Sequence, residues 1–238
     1  MIDPRTRLIV ALDVPGAREA RRMVAELGEG VSFYKIGKQL FTAEGPQLVR
    51  DLVAGGLDIF LDLKFHDIPS IVAGAVRAAA GLGVRMMTVH ASGGSQMLRA
   101  AAEAGAGTPT KPTILAVTVL TSIDEPELGE IGVSGGLSAQ VLRLAGLALK
   151  AGCGGVVASA HEAAELRRSF AGDYAIVTPG IRAAGESADD QARVVTPAEA
   201  IKAGATHIVV GRSITAAADP RKAAETILRE MAASEVVS

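Results

Sequence analysis

The chain has 238 residues, a length at which an α/β barrel commonly forms one unit, so we expect one domain over residues 1–238. Its 24 basic and 26 acidic side chains give a net charge of -2, which offers no basic surface for nucleic acid or an acidic membrane. No apolar run approaches the roughly 18 residues that cross a bilayer, and residues 1–5 lack the apolar segment of a signal peptide, so we expect a cytoplasmic protein.

Short apolar segments alternate with longer segments of helical period along the chain. The predicted strands lie at residues 8–12, 33–36, 59–63, 86–89, 114–118, 155–158, 175–177 and 207–210. The predicted helices between them are clearest at residues 17–27, 138–150 and 221–231. Nearly continuous apolar strands that alternate with helices form a parallel sheet covered by helices. About eight such units in one domain predict a single (β/α)8 TIM barrel rather than an open sheet.

The third predicted strand ends in a group of charges, Asp62, Lys64 and Asp67. A period of two sends Asp62 and Lys64 to one face and their apolar neighbours to the other, which should pack on helices. The two charges should therefore point inside the barrel, where a charge is costly unless it is paired or used. The D-x-K-x-x-D pattern thus favours a proton-transfer site. The alternative is a structural ion pair, with Asp67 as the N-cap of a helix that begins near Pro69.

Polar residues also follow other predicted strands, at the end of the barrel where enzymes of this fold place their chemistry. Asp13 follows the first strand and Lys35 lies in the second, and the period of two allows both to turn inward. His90 ends the fourth strand, and Thr121 follows the fifth. Charges at corresponding strand ends indicate one shared site.

The loops after the seventh and eighth strands are suited to binding a phosphate. They contain Arg182 and Arg212, each close to a glycine, Gly180 or Gly211. The planar guanidinium group matches phosphate oxygens, and exposed backbone amides add anion-binding dipoles. Either arginine alone could be an ordinary surface residue, but the two together predict a phosphorylated substrate. The small polar loop at 183–190 would suit a lid.

The chain carries no motif for a cofactor or a metal. Both G-x-G-x-x-G and G-x-x-x-x-G-K-[ST] are absent, which gives no support for a dinucleotide or ATP site. The four histidines form no metal-binding pattern, and the single cysteine, Cys153, is expected to be a small packed residue. These features give no support for a nucleotide cofactor or a clustered metal site.

The chain resembles the orotidine 5'-phosphate decarboxylase family over essentially its whole length. The segments that carry the resemblance are, in order, residues 12–13, 34–37, 62–69, 119–122, 178–182 and 211–215. The D-x-K-x-x-D pattern alone is shared with related phosphosugar decarboxylases and synthases, whereas the full ordered set is highly specific. The resemblance implies a dimeric (β/α)8 barrel that converts orotidine 5'-monophosphate to UMP and carbon dioxide with no cofactor or metal.

The resemblance also implies roles for the charged residues. Lys64 would protonate the pyrimidine carbon that loses the carboxylate, and Asp62 would lie against that carboxylate. Lys35 and Asp13 would hold ribose hydroxyl groups. Lys35 would also complete an alternating array with Asp62, Lys64 and Asp67.

Part of each site would come from the neighbouring subunit of a homodimer. Asp67 and Ile68 would enter the neighbour's site, and Ile71 occupies a position where the family usually has a threonine that contacts the neighbour's ribose. One hydrogen bond across the interface would then be absent. The remaining substrate contacts implied by the resemblance, to the pyrimidine edge and the phosphate, involve Thr121, Pro179, Arg182, Gln191, Gly211 and Arg212.

Two other functions fit the same scaffold. The first is a magnesium-dependent phosphosugar decarboxylase or synthase, but such relatives have an acidic metal ligand at the second strand, where Lys35 would repel a divalent cation. The second is a non-catalytic phosphate-binding barrel, since fold alone does not prove activity. Its signature would be a missing catalytic charge, and every charged residue of the pattern is present.

Overall fold

Strands and helices alternate along the chain in the computed structural model, which describes residues 3–182 and 195–235. Within these residues, eight strands form a closed barrel in chain order, each parallel to the next, and the last pairs with the first. The strands are β1 (Leu8–Ala11), β2 (Phe33–Gly37), β3 (Asp58–Phe65), β4 (Met86–His90), β5 (Thr113–Val117), β6 (Gly155–Val157), β7 (Ala175–Thr178) and β8 (His207–Val210). The predicted (β/α)8 barrel is confirmed.

Helices cover the outside of the barrel and match the predicted positions. They are α1 (Ala17–Leu27), α2 (Lys38–Ala54), α3 (Pro69–Ala80), α4 (Gly94–Ala106), α5 (Glu125–Glu130), α6 (Leu137–Lys150), α7 (Ala160–Ser169), α8 (Pro197–Lys202), α9 (Arg212–Thr215) and α10 (Pro220–Glu235). Short 3-10 turns lie at Pro4–Thr6, Gly28–Gly30 and Ala91–Gly93. None of the helices within the described ranges has the length and apolar character needed to cross a membrane.

The period of two along the strands separates two apolar cores. In β1, Leu8 and Val10 belong to the core between strands and helices, whereas Ile9 and Ala11 belong to the core inside the barrel. The inner core fills the barrel with side chains from most of the strands: Ile9, Ala11, Phe33, Phe60, Met86, Leu115, Val177 and Val209. This packed apolar layer fills the barrel below the carboxyl ends of its strands, where polar side chains can be placed.

His207 lies at the opposite end of the barrel, at the start of β8. Burial, assisted by the charges of Arg7 and Arg85, lowers the pKa of His207 to about 4. Its imidazole is therefore neutral at pH 7 and packs edge-on to the ring of Phe33, with ring centroids 6.1 Å apart. The amino-terminal ends of β2 and β8 therefore contribute to packing.

Candidate active site

A cavity of about 420 Å³ lies at the carboxyl ends of the strands. This volume falls in the range typical of small-molecule sites. Its floor is apolar and is formed by Ala11, Phe60, Val117, Val157 and Val209. Its walls contain most of the site residues predicted from the sequence: Asp13, Lys35, Asp62, Lys64, Thr121, Pro179, Gly180, Arg182, Gly211 and Arg212.

Four charged side chains in the cavity alternate in sign. Lys35 donates from Nζ to Asp13 Oδ1 at 2.8 Å, and the same Nζ lies 3.9 Å from Asp62 Oδ2. Lys64 donates from Nζ to Asp62 Oδ2 at 2.7 Å. The Lys35 and Asp62 side chains are only 11% and 12% exposed. Because each charge has an opposite neighbour, the group can lie in a partly buried pocket without the full cost of isolated buried ions.

Gly37 leaves the space in which the Asp13–Lys35 pair forms. A Cβ atom at this position would lie 3.1 Å from both Asp13 Oδ1 and Lys35 Nζ. Gly37 has an ordinary φ of -92°, so the glycine provides room beside the ion pair here rather than backbone freedom. The glycine is part of the family-like segment 34–37, but this packing role depends on tertiary contacts and could not be predicted from the sequence.

Lys64 reaches the cavity through an irregularity in β3 that simple alternation does not predict. The pairing of β3 with β4 loses register between Leu61 and Phe65, and Lys64 has a left-handed φ of 52°. Such a conformation is unusual for a residue other than glycine. Asp62 and Lys64 do share the cavity, as the alternation predicted, but on a bulged strand rather than a regular one.

Thr88 on β4 is a buried site neighbour that sequence reasoning missed. Its hydroxyl donates to Asp62 Oδ1 at 2.9 Å and accepts the backbone N–H of Lys64 at 2.8 Å. The only sequence signal was its position in an apolar strand, on the same inward face as Met86. A role in the site cannot be predicted for an uncharged residue inside a strand until its contacts are known.

Asp67, Ile68 and Ile71 do not line the cavity of their own chain. Asp67 Oδ1 accepts the backbone N–H of Ile68 at 2.6 Å, but the N-cap position of α3 is Ile68, with no side-chain cap. The alternative in which Asp67 caps this helix is therefore wrong. Ile68 and Ile71 are 62% and 55% exposed, which is high for large apolar side chains.

The two arginines of the predicted phosphate end line the cavity from β7 and β8. Arg182 is buried, and its Nη1 donates to the carbonyl of Ile181 at 3.2 Å. Arg212 is exposed and follows Gly211 at the start of α9. Gln191 and the predicted lid at 183–190 lie outside the described residues.

His90 lies beside the cavity and not in its lining. Its ring is 5.4 Å from that of His66. Burial, together with the positive potential of His66, Lys38 and Lys64, lowers the pKa of His90. Across the described part of the chain, no group of three or more His, Cys, Asp or Glu side chains is arranged to hold a metal ion.

A parallel barrel with a charged cavity at the carboxyl ends of its strands is the architecture of the (β/α)8-barrel enzymes. Residues 6–227 match the family model described as Orotidine 5'-phosphate decarboxylase / HUMPS family. The chain is 54% identical to the orotidine 5'-phosphate decarboxylase of Halorhodospira halophila over 96% of this chain and 97% of that one. It is 49% identical to the orotidine 5'-phosphate decarboxylase of Nitrosococcus oceani over 95% of this chain and 98% of that one.

Solved structures give the same result. The orotidine 5'-phosphate decarboxylase of Lactobacillus acidophilus has a TM-score of 0.86 at 40% identity and covers 94% of this chain and 98% of its own. The orotidine 5'-phosphate decarboxylase of Pyrococcus horikoshii has a TM-score of 0.76 at 26% identity, and the match covers 94% of this chain and 99% of that one. The chain belongs to the orotidine 5'-phosphate decarboxylase / HUMPS family.

Proposed function

We propose that this chain is a carboxy-lyase that converts orotidine 5'-monophosphate to UMP and carbon dioxide, the last step of de novo UMP biosynthesis. The observation that carries this function is the alternating Asp13–Lys35–Asp62–Lys64 group in the cavity of a chain that belongs to this family. We propose further that the reaction needs no cofactor and no metal, because charged side chains can supply the electrostatic work.

Lys64 is the residue to which we assign proton donation. As the bond to the carboxylate breaks, carbon dioxide departs and the electron pair remains on the pyrimidine carbon. The Nζ of Lys64, aimed by its 2.7 Å contact with Asp62 Oδ2, stabilises this developing carbanion. It then transfers a proton to the carbon to form UMP, and the lysine regains a proton from solvent.

Asp62 and Lys35 would prepare the substrate for this step. Asp62 would lie beside the substrate carboxylate, where repulsion between the two anions ends as neutral carbon dioxide leaves. Lys35 and Asp13, joined at 2.8 Å, would hold the ribose hydroxyl groups. Thr121, half-buried on the cavity wall, would contact the pyrimidine edge.

The phosphate would be held at the other side of the cavity. Arg212 and the Gly211 amide would bind its oxygens, with Arg182, Pro179 and Gln191 nearby, because guanidinium and amide groups form charge-assisted hydrogen bonds with phosphate. Binding energy from this remote group can be used at the reacting carbon.

We also infer a homodimer with shared sites. Asp67 is exposed and is absent from the lining of its own cavity, so it is available to a neighbouring subunit. The exposed apolar side chains of Ile68 and Ile71 beside it would be covered in such an interface. In that arrangement Ile71 offers no hydrogen bond to the neighbour's ribose.

The remaining inferences concern the whole chain. We infer one catalytic domain over residues 1–238 that acts in the cytoplasm and binds neither nucleic acid nor membranes. The net charge of -2 supports the absence of a nucleic-acid surface. Cys153 is a buried free thiol, and burial raises its pKa to about 12, so it is an unreactive packed residue that suits a reducing compartment.

The direct test mixes the purified protein with orotidine 5'-monophosphate and follows the loss of pyrimidine absorbance together with the appearance of UMP. Stoichiometric conversion is the expected result. A protein that leaves this substrate unchanged but decarboxylates a phosphosugar acid would be the magnesium-dependent relative instead.

We expect activity to survive exhaustive treatment with EDTA. Lys35 stands where the metal-dependent relatives place an acidic ligand, and it already lies 2.8 Å from Asp13 and 3.9 Å from Asp62. A divalent cation there would face an ammonium group rather than free carboxylate oxygens. The measurement is kcat before and after chelation, with added magnesium as the control. Activity that disappears with EDTA and returns with magnesium would favour the phosphosugar function.

Arg212→Ala should weaken use of the phosphorylated substrate far more than use of orotidine, the nucleoside without phosphate. A charge-assisted contact to phosphate exists only for the former and is commonly about 1.5–3 kcal/mol, or roughly tenfold to a hundredfold in kcat/KM. Arg50→Ala, at an exposed position near the far end of α2, is the matched control and should change neither rate. Equal losses on both substrates would show that Arg212 has another role.

A further inference from the structure

We propose that Thr88 is a positioning residue whose hydroxyl group holds both Asp62 and the backbone of Lys64 in the geometry that catalysis uses. The inference rests on the proposed decarboxylase function and adds a positioning residue to it. Thr88 is fully buried and is not among the residues that line the cavity.

The first contact orients the carboxylate of Asp62. Its Oδ1 accepts the Thr88 hydroxyl at 2.9 Å, while its Oδ2 accepts Lys64 Nζ at 2.7 Å. The final torsion of an aspartate side chain is broad, so a carboxylate held at one oxygen can still turn. With a partner at each oxygen, Oδ2 stays directed at Lys64.

The second contact holds the backbone of Lys64. Leu61 pairs with Met87 and Phe65 pairs with Val89, so residues 62–64 of β3 face Thr88 alone. The bulge disrupts the regular ladder at Lys64, which has a φ of 52°. Instead, the N–H of Lys64 donates to Thr88 Oγ1 at 2.8 Å. The Thr88 side chain thus replaces a ladder hydrogen bond and supports a conformation that lysine rarely adopts.

Both contacts require the hydroxyl group. A hydroxyl has one hydrogen to donate and two lone pairs to accept with, so it can serve Asp62 and Lys64 at once. Valine has the same shape but neither function, and would leave a buried N–H and a carboxylate oxygen without this partner. Serine keeps the hydroxyl and loses only a methyl group.

The test compares Thr88→Ser, Thr88→Ala and Thr88→Val on orotidine 5'-monophosphate. Thr88→Ser should keep kcat within about threefold of the parent, whereas the alanine and valine variants should lose about a hundredfold. KM should stay within about threefold throughout, because the phosphate and ribose contacts do not involve Thr88. Rates are expressed per site that binds UMP, so that an unfolded fraction does not count as lost catalysis.

The matched control is Thr118→Val. The Thr118 hydroxyl is also buried at the end of a neighbouring strand, but it donates to the backbone carbonyl of Val157 at 3.0 Å and contacts no charged site residue. This variant should keep kcat within about threefold of the parent. A comparable loss of kcat in Thr118→Val would show that removing a buried hydroxyl group at this end of the barrel lowers kcat whatever it contacts, and would overturn the proposal.

Several other outcomes would also overturn the proposal. Equal kcat for Thr88→Ser and Thr88→Ala would do so, because these two variants lack the same methyl group and differ only in the hydroxyl. That pair decides the matter if Thr88→Val does not fold. A rise in KM with kcat unchanged would also contradict positioning. A parent protein that is inactive on orotidine 5'-monophosphate would instead overturn the proposed function, so the two failures are distinguishable.

Discussion

Replacing Lys64 with alanine is expected to lower kcat/KM for orotidine 5'-monophosphate by at least about a thousandfold, a barrier increase of roughly 4 kcal/mol. Under the proposed mechanism, the variant would lose both the cation that stabilises the carbanion and the proton that completes the product. The measurement is the steady-state rate of pyrimidine conversion at saturating and limiting substrate. A kcat/KM within about tenfold of the parent would reject Lys64 as the acid.

The fold of the Lys64→Ala variant should remain intact, with some loss of stability. Asp62 would keep the hydrogen bond from Thr88 and a cation at 3.9 Å, Lys35, but would lose its closest ion pair. Mutual repulsion between Asp62 and Asp67 would no longer be offset if Asp67 enters a shared site. Lys150→Ala, at an exposed position at the end of α6, is the matched control and should change neither activity nor unfolding.

Mixing two inactive variants is expected to restore about a quarter of the parental activity. Homodimers of Lys64→Ala and of Asp67→Ala should each be nearly inactive. If Asp67 crosses the interface, a mixed dimer carries both defects in one site and neither in the other. Random exchange makes half of the dimers mixed, and each has one intact site of two. The measurement is the activity of the equimolar co-refolded mixture.

The matched control for this experiment is a mixture of Lys64→Ala with Asp62→Ala. Asp62 and Lys64 line the same cavity in one chain, so every site in that mixture keeps one defect and no activity should return. Subunit exchange is verified by a mass tag on one variant. A Lys64→Ala and Asp67→Ala mixture that exchanges subunits but stays inactive would show that Asp67 serves its own chain.

The sequence determined the barrel and the positions of its strands. Short, nearly continuous apolar segments and intervening helical segments placed all eight strands. The remaining error is seen in β3, which was predicted over 59–63 and extends over Asp58–Phe65. Local patterning is sufficient here because each strand buries one face against helices and the other inside the barrel. The ends of a strand such as β3 are harder to predict from sequence, because the charged residues there break the apolar pattern by which the strand is recognised.

The sequence also indicated which charges share a site, but not how they pair. Asp13 and Lys35 are 22 residues apart in the chain and come within 2.8 Å because β1 and β2 are neighbours in the closed barrel. The role of Asp67 shows the limit of local reasoning. A cap was a reasonable alternative from its position before Pro69, yet the chain turns so that Ile68 occupies the N-cap. Its entry into a neighbouring site stays a prediction.

Only the tertiary structure revealed the bulge at Lys64 and the two hydrogen bonds of Thr88. Nothing in residues 58–65 specifies a loss of register, because register is a property of two strands and is settled by how β3 packs against β4. The left-handed φ of Lys64 and the hydroxyl that supports it follow from that pairing. Residue types and their period therefore defined the set of charged groups, whereas strand pairing decided the distances and directions on which their chemistry depends.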